Sequence, residues 1–497
     1  MNPLSTTSSA CFTMAAVLLS ATFSAQAQIA QTAPKLLNSN GASDGFNESS
    51  PVVSTDGSGT WIAAAPSAED IGGAGNDWDI VVFRSTNDGV SWSAPALLHS
   101  NGTGDTESDF SPSIAGDGAG NWVIVWQSGE DLSSAGTDND IFVVASSDDG
   151  LTWSAPALVN SNAASDTRDD YSAKIATDAA GNWIVVWYST EDLGSVAGSD
   201  SDIFVSISAN NGATWSAVAL LNSNATTDTG ADVSPSIDTD GAGKWVVAWE
   251  SSDTLGGSIG TDYDIVFASS ADNGATWSPL SLLNSNGAAD AGDDRSCEIT
   301  TDEAGNWVIV WGSDDDLLTT IDTDWDILVA SSADNAVSWS APILLNTNGT
   351  SDTEDDRIPH IATDGLGNWV STWYSAEDLG GSAGADDDVF TALSTDDGAT
   401  WSATALLNTN GNTDTGDDTN SSIATNGAGD WVAAWVSNEN LSGAGTDRDL
   451  FITRFGVGGI APPSLPAAAL STLLAMASGL LLLGTLITRR NRRQRKN

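Results

Sequence analysis

Disulfide chemistry is almost absent from this 497-residue chain. It has two cysteines, and Cys11 lies in the N-terminal segment, so the body keeps only Cys297 and cannot close an intrachain bridge. A domain without such staples must be held by its core, and the 28–455 body is long enough to build one. Basic residues are scarce too. Of fifteen lysines and arginines, six crowd into the last nine residues, which leaves nine in the body against 67 acidic residues. That balance excludes nucleic acid, whose phosphates need basic neutralisation. It suits solubility in salt, cation capture and repulsion of acidic polymers. Sustained helical periodicity is also missing from the body, which reads as all-β.

The two ends differ from the middle. Residues 1–27 read as a signal peptide, with an apolar run from Phe12 to Phe23 and small residues at Ala25-Gln26-Ala27 for cleavage. Residues 456–464 form a Gly/Pro linker. Residues 465–488 are apolar and uncharged enough for one transmembrane helix. The basic stretch 489–497 would stay cytoplasmic and leave the body outside. The expected location is therefore the cell envelope or surface.

Within the body one phrase recurs six times, as Ser270-Ala271-Asp272-Asn273-Gly274-Ala275-Thr276-Trp277 does in its fourth copy. The copies end at Trp92, Trp153, Trp215, Trp277, Trp339 and Trp401, in steps of 61 or 62 residues. A fixed period means one supersecondary unit laid down repeatedly. Each unit has four strand-like runs between Gly/Asp/Asn turns. In the unit around Trp122 these are Pro112–Ala115, Trp122–Trp126, Ile141–Ala145 and Ala155–Val159. Trp122, Ile124 and Trp126 face one way and Val123 and Val125 the other, so the sheet is covered on both sides.

Tandem four-stranded sheets predict a β-propeller. The Trp-led second strand occurs seven times, at Trp61, Trp122, Trp183, Trp245, Trp307, Trp369 and Trp431. The last unit lacks a fourth strand, and Ala33–Leu37 is a spare copy of it. Pairing the two predicts seven blades closed by the N-terminal strand, with six as the alternative if the ends do not meet.

The Ser-x-Asp-x-Gly-x-Thr-Trp phrase resembles the Asp-box, or bacterial neuraminidase repeat, of sialidase-like propellers. It is seen at Asp148, Gly150 and Trp153, at Asp272, Gly274 and Trp277, and at Asp396, Gly398 and Trp401. Asn87 and Asn210 stand for the aspartate in two copies, and Ala336 for the glycine in one. Its expected role is structural: a carboxylate that folds a turn, a glycine with a permissive dihedral, a tryptophan in the seam. The family includes exo-sialidases and non-enzymatic propellers. Sialidases share an Arg-Ile-Pro phrase, a three-arginine carboxylate clamp, a Tyr/Glu nucleophile pair and an acid/base aspartate. Arg357-Ile358-Pro359 matches the first phrase. Arg295 holds the equivalent slot one blade earlier, and Tyr171 lies near an inner-strand start. In other units the slot is read as Phe110, Tyr171, Val233 or Asn420. The remaining body arginines, Arg84, Arg168, Arg448 and Arg454, fall on no equivalent inner-strand start. The resemblance thus implies either a binding propeller, with Arg295 and Arg357 as ligand-binding residues and no catalytic ones, or an exo-α-sialidase using Arg357, Arg295 and Tyr171.

Two sets of loops on one rim are acidic. Asp-x-Asp precedes the third strand at Asp138/Asp140, Asp262/Asp264, Asp324/Asp326, Asp386/Asp388 and elsewhere. Other aspartates, such as Asp166, Asp169 and Asp170, crowd the fourth-to-first loops. Clustered carboxylates fit a hard cation such as Ca²⁺, although no loop has EF-hand spacing. A solvated acidic rim is the competing reading. Gly458-Gly459 or Pro463–Pro466, the apolar span and the arginines resemble the C-terminal sorting tails of bacterial envelope proteins, which implies either tail cleavage or a plain anchor. The expectation is a monomeric, exported, acidic propeller that binds a glycan, protein or cation, with sialidase-type hydrolysis as the alternative.

Overall fold

The computed structural model describes residues 28–458, apart from short loop stretches at 40, 42–44, 74, 76, 100–105, 195, 228, 256, 258, 285–286, 288–290, 316–323, 351–352, 414 and 446. The signal peptide, the transmembrane span and the basic tail expected from the sequence lie outside the described residues. Among the described residues no helix is long and apolar enough to cross a membrane. The described residues of the body form strands and two short 3₁₀ turns, Leu132–Ser134 and Leu441–Gly443.

Seven antiparallel sheets form the ring. In blade 1 the strands run outward as Val52–Thr55, Trp61–Ser67, Asp79–Ser85 and Ala96–Leu97. Blades 2 to 6 repeat this order over 109–158, 170–220, 232–282, 294–344 and 357–406. Blade 7 takes three strands from the chain's end, Asp418–Thr425, Asp430–Ser437 and Asp449–Gly458. Its outer edge comes from the beginning: Lys35 pairs with Ile452 and Leu36 with Phe451. Leu37 N–H donates to Leu450 O at 2.7 Å, and Thr32 N–H to Arg454 O at 2.8 Å. The strand borrowed from the N-terminus closes the seventh blade, and the six-blade alternative is excluded.

The second strand of each blade is buried along almost all of its length, as at Trp245–Ser251 and Trp307–Ser313, and is mostly apolar except in blade 6, where Ser371 and Thr372 lie mid-strand. Both of its faces pack on sheets, so it needs no polar side. The apolar clusters straddle blades: Val123, Val125 and Ile141 of blade 2 pack with Trp183, Val185 and Trp187 of blade 3. Stability is therefore shared between neighbouring units, as in other repeat proteins.

The Asp-box turns lie between third and fourth strands. Asp148 accepts from Thr152 N–H at 2.9 Å, Thr152 Oγ1 at 2.7 Å and Ser146 Oγ at 2.8 Å. Asp272 and Asp396 hold Thr276 and Thr400 in the same way. These bonds, led by the threonine hydroxyl, keep the Asp148 and Asp272 carboxyls below the usual range. Trp153, Trp277 and Trp401 pack against the inter-blade clusters. The glycine does two jobs. It takes a left-handed φ, +71° at Gly150 and +78° at Gly274, and it lets the preceding blade approach. A Cβ on Gly212 would meet Val123 at 2.7 Å. Ala336 fills the one copy without glycine, keeping a φ of 55°.

Candidate functional site

At or just before the start of each inner strand lies an acidic residue whose backbone N–H crosses to the preceding blade. Asp109 donates to Trp78 O, Asp170 to Asn139 O, Asp232 to Ser201 O, Asp294 to Tyr263 O, Asp356 to Trp325 O, Asp418 to Asp387 O and Glu48 to Arg448 O, all at 2.6–2.8 Å. This bond recurs at all seven junctions and brings two sequence positions together on one face. One is the middle residue of Asp-x-Asp. The other is the second residue of the following inner strand.

Those two positions are where near-identical blades differ. Trp78 meets Phe110, with ring centroids 5.7 Å apart. Tyr263 lies under the Arg295 guanidinium at 3.4 Å, and Trp325 under Arg357 at 5.0 Å. Tyr171 donates its hydroxyl to Asp169 at 2.8 Å and lies 5.5 Å from Tyr188. Tyr374 is the cross-strand partner of Arg357. All four tyrosines of the chain are thus on this face. So are Trp78 and Trp325, the two tryptophans outside the repeating second-strand and Asp-box sets. In blade 7 the variable slot belongs to Thr419, which pairs with Val436, and not to Asn420. Asn420 is the next residue, on the bulge.

A bulge after that slot appears in every blade from 2 to 7. Ser111, Ser172, Ser234, Ser296, Ile358 and Asn420 all have φ between 49° and 56°. Serine and asparagine tolerate that region, whereas a β-branched residue is strained there. Ile358 therefore carries strain beside Arg357. Beyond the bulge the inner strands line a central cavity of about 330 Å³, with Lys174, Glu298 and His360 on its wall. His360 Nδ1 pairs with Glu298 Oε2 at 2.6 Å.

Neither predicted clamp arginine is unpaired. Arg357 Nη2 contacts Asp355 at 2.6 Å. Arg295 contacts Asp293 at 3.2 Å and Glu250 at 3.4 Å. Glu250, which the sequence reading missed, is buried and also accepts from Ser296 N–H at 2.7 Å. Burial raises its pKa, against the Ser296 bond and the Arg295 charge.

Behind the mouth the acidic loops form a repeated clasp. Asn346 Nδ2 donates to Asp326 at 2.6 Å and to Asp356 at 2.5 Å, tying a third strand to the next blade's inner strand. Asn222 joins Asp202 and Asp232, Asn408 joins Asp388 and Asp418, and Asn38 joins Asp449 and Glu48. Asn160 reaches Asp140, and Asn284 reaches Asp264. His99 replaces the asparagine in blade 1 and contacts Asp109 at 2.8 Å. The residues of these clasps are buried, Asn346 and Asp326 completely. Of the predicted metal-ligand pairs, Asp140, Asp264, Asp326 and Asp388 are these clasp carboxylates. Asp138, Asp262, Asp324 and Asp386 lie half-buried two residues earlier. Oxygens of Asp138, Asp140 and Asp166 come within 4.8 Å of one another, so this cluster could hold a metal ion. Asp79, His99 and Asp109 form a second such group.

Ring and turns together define a seven-bladed β-propeller with a repeated Ser-x-Asp-x-Gly-x-Thr-Trp turn. No protein-family model and no curated protein matches the chain. Among solved structures it is similar to a protein of unknown function from Dyadobacter fermentans, at 12% identity over 86% of this chain and 99% of that one, with a TM-score of 0.49. It is similar to the NanB sialidase of Streptococcus pneumoniae, at 11% identity over 86% and 70% of the two chains and a TM-score of 0.41. It is also similar to a Penicillium chrysogenum α-L-arabinanase, at 14% identity over 70% and 94%, with a TM-score of 0.43.

Proposed function

We propose that the protein is an exported, envelope-tethered propeller that binds an extracellular glycan at this mouth without turning it over. It also holds divalent cations, Ca²⁺ by the oxygen-only character of the donors, in the junctions behind the mouth. The observation carrying the glycan reading is the collection of Tyr171, Tyr263 and the two non-repeating tryptophans in the variable slots, with Tyr188 and Tyr374 as cross-strand partners of slot residues. Aromatic faces with a polar edge, beside a few hydrogen-bonding groups, are what a pyranose ring needs for stacking and orientation. Arg357, with one carboxylate partner and a side chain 40% exposed, has donors left for a ligand oxygen. The acidic body disfavours an anionic sugar within a Debye length of ~10 Å, and the Arg295 guanidinium is already shared between two acids. Both facts weigh against sialidase chemistry. Export and tethering rest on the N-terminal signal and the C-terminal span read from the sequence.

A glycan array probed with the full chain, followed by titration of the best ligand, tests this. Trp78→Ala and Trp325→Ala are each expected to weaken binding by roughly tenfold. Leu151→Ala, at an exposed turn on the Asp-box side, is expected to leave it unchanged. Array binding that neither tryptophan variant weakens would place the ligand elsewhere.

A further inference from the structure

One junction carries the cation part of this reading to a defined place. We propose that a Ca²⁺ ion binds between blades 2 and 3, held by Asp138, Asp140 and Asp166 with the side-chain oxygen of Asn162. Asp140 is 1% exposed and Asp166 8%. Asp140 Oδ2, Asp166 Oδ1, Asp138 Oδ2 and Asn162 Oδ1 are all buried without a hydrogen-bond partner. Native proteins rarely leave buried acceptors so; the three carboxylates bring oxygens within 4.8 Å of one another, and with the neighbouring Asn162 oxygen and water they match the demand of a hard cation for six to eight oxygens. The amide ends are already committed. Asn160 Nδ2 donates to Asp140 Oδ1 at 2.5 Å, and Asn162 Nδ2 donates to Asp166 Oδ2. Each leaves the other oxygen of its partner for a different ligand.

The donor spacing is not confined to this junction. Asp-x-Asp, then asparagine 22 residues on, then aspartate four further on, recurs in sequence at Asp77/Asp79/Asn101/Asp105, at Asp200/Asp202/Asn224/Asp228 and in blades 4, 5 and 6. For blade 7 the pair is Asp447/Asp449, and Asn40 and Asp44 come from the closing N-terminal segment. The placement also links the ion to the mouth. Asn139, between the two ligating aspartates, accepts the cross-blade bond from Asp170 at 2.7 Å, and Tyr171 follows Asp170. An ion here fixes the loop that sets this mouth pair.

The full chain in detergent, stripped with EDTA and returned to CaCl₂, tests the site by native mass spectrometry and by thermal melting. Wild type is expected to gain bound Ca²⁺ and a higher melting midpoint. Asp140→Asn and Asp166→Asn, which keep the side-chain shape, are each expected to bind one ion fewer. Asp138→Asn guards against the case in which a buried variant fails to fold. No Ca²⁺ taken up by wild type, or an unchanged ion count in folded Asp138→Asn and Asp166→Asn, overturns the proposal. It deepens the cation part of the reading above, and glycan titration on the same samples keeps the two apart. One ion lost in the variants supports this site even where no glycan binds, and an unchanged count overturns it even where one does.

Discussion

Deleting residues 28–38 is expected to lower the melting midpoint by roughly 10 °C or more and to make the protein aggregate. The deletion removes the outer strand of blade 7 and, with it, the backbone bonds Leu37 N–H to Leu450 O and Thr32 N–H to Arg454 O. Thr453 Oγ1 loses its 2.7 Å bond to Thr32 O. Leu37, 3% exposed, leaves the cluster formed with Leu450 and Ile452. Asn38 takes with it the amide between Asp449 and Glu48. At about 1 kcal/mol per net hydrogen bond, about 2 for a buried leucine and about 3 for a broken charged clasp, the loss is on the order of 8 kcal/mol. The third strand of blade 7 also becomes an open, apolar edge, which invites pairing with other chains. Removal of 459–497 instead, beyond the last strand of blade 7, should leave the midpoint within a degree or two. Differential scanning fluorimetry with light scattering reads both. A deletion that melts like the intact chain would mean that the ring does not depend on the borrowed strand.

The second large effect concerns a single side chain. Asn346→Leu keeps the volume but removes both donors to Asp326 and Asp356, and the Oδ1 acceptor for Ile327 N–H at 2.9 Å. Two carboxylates that are 0% and 1% exposed would then face one another without that amide. Breaking a buried charged contact from one side costs about 3–5 kcal/mol, far more than a surface change. The chain contains its own control. His99 occupies the asparagine position in blade 1, bonding Asp109 and stacking on Trp126 with ring centroids 5.2 Å apart. Trp373 is the repeat equivalent of Trp126 for the blade 5–6 junction. Asn346→His should therefore recover much of the stability that Asn346→Leu loses. Equilibrium unfolding in urea compares the three, and a leucine variant as stable as wild type would refute the clasp.

The architecture was legible because its determinants are local and repeated. The tryptophan-led strands and the Asp-box turns each announce themselves every 62 residues, and the count mismatch between turns and strands pointed to Ala33–Leu37 as the missing edge. The candidate site was legible only in part. Arg295, Arg357 and Tyr171 were picked out by resemblance, and the Asp-x-Asp pairs by charge. Which aspartate of each pair is buried was not readable, because it depends on the cross-blade bond to the inner strand. The bridging asparagines went unnoticed although they follow the fourth strand at a constant spacing in six of the seven units, with His99 in the other. A polar residue at a strand end looks like loop until its partners are brought in from two blades. The mouth pairs, such as Tyr263 with Arg295, join positions about 30 residues apart through a bond that no local pattern encodes. Thr419 was passed over for Asn420 because the bulge shifts the register by one at that point.

The claim that this mouth binds and does not hydrolyse is tested most directly by incubating the purified, Ca²⁺-loaded chain with a fluorogenic sialoside across pH 5 to 8. The account predicts no release above buffer, and the same trace for Arg357→Ala. Turnover by wild type that disappears in Arg357→Ala would contradict it and make the protein a glycosidase.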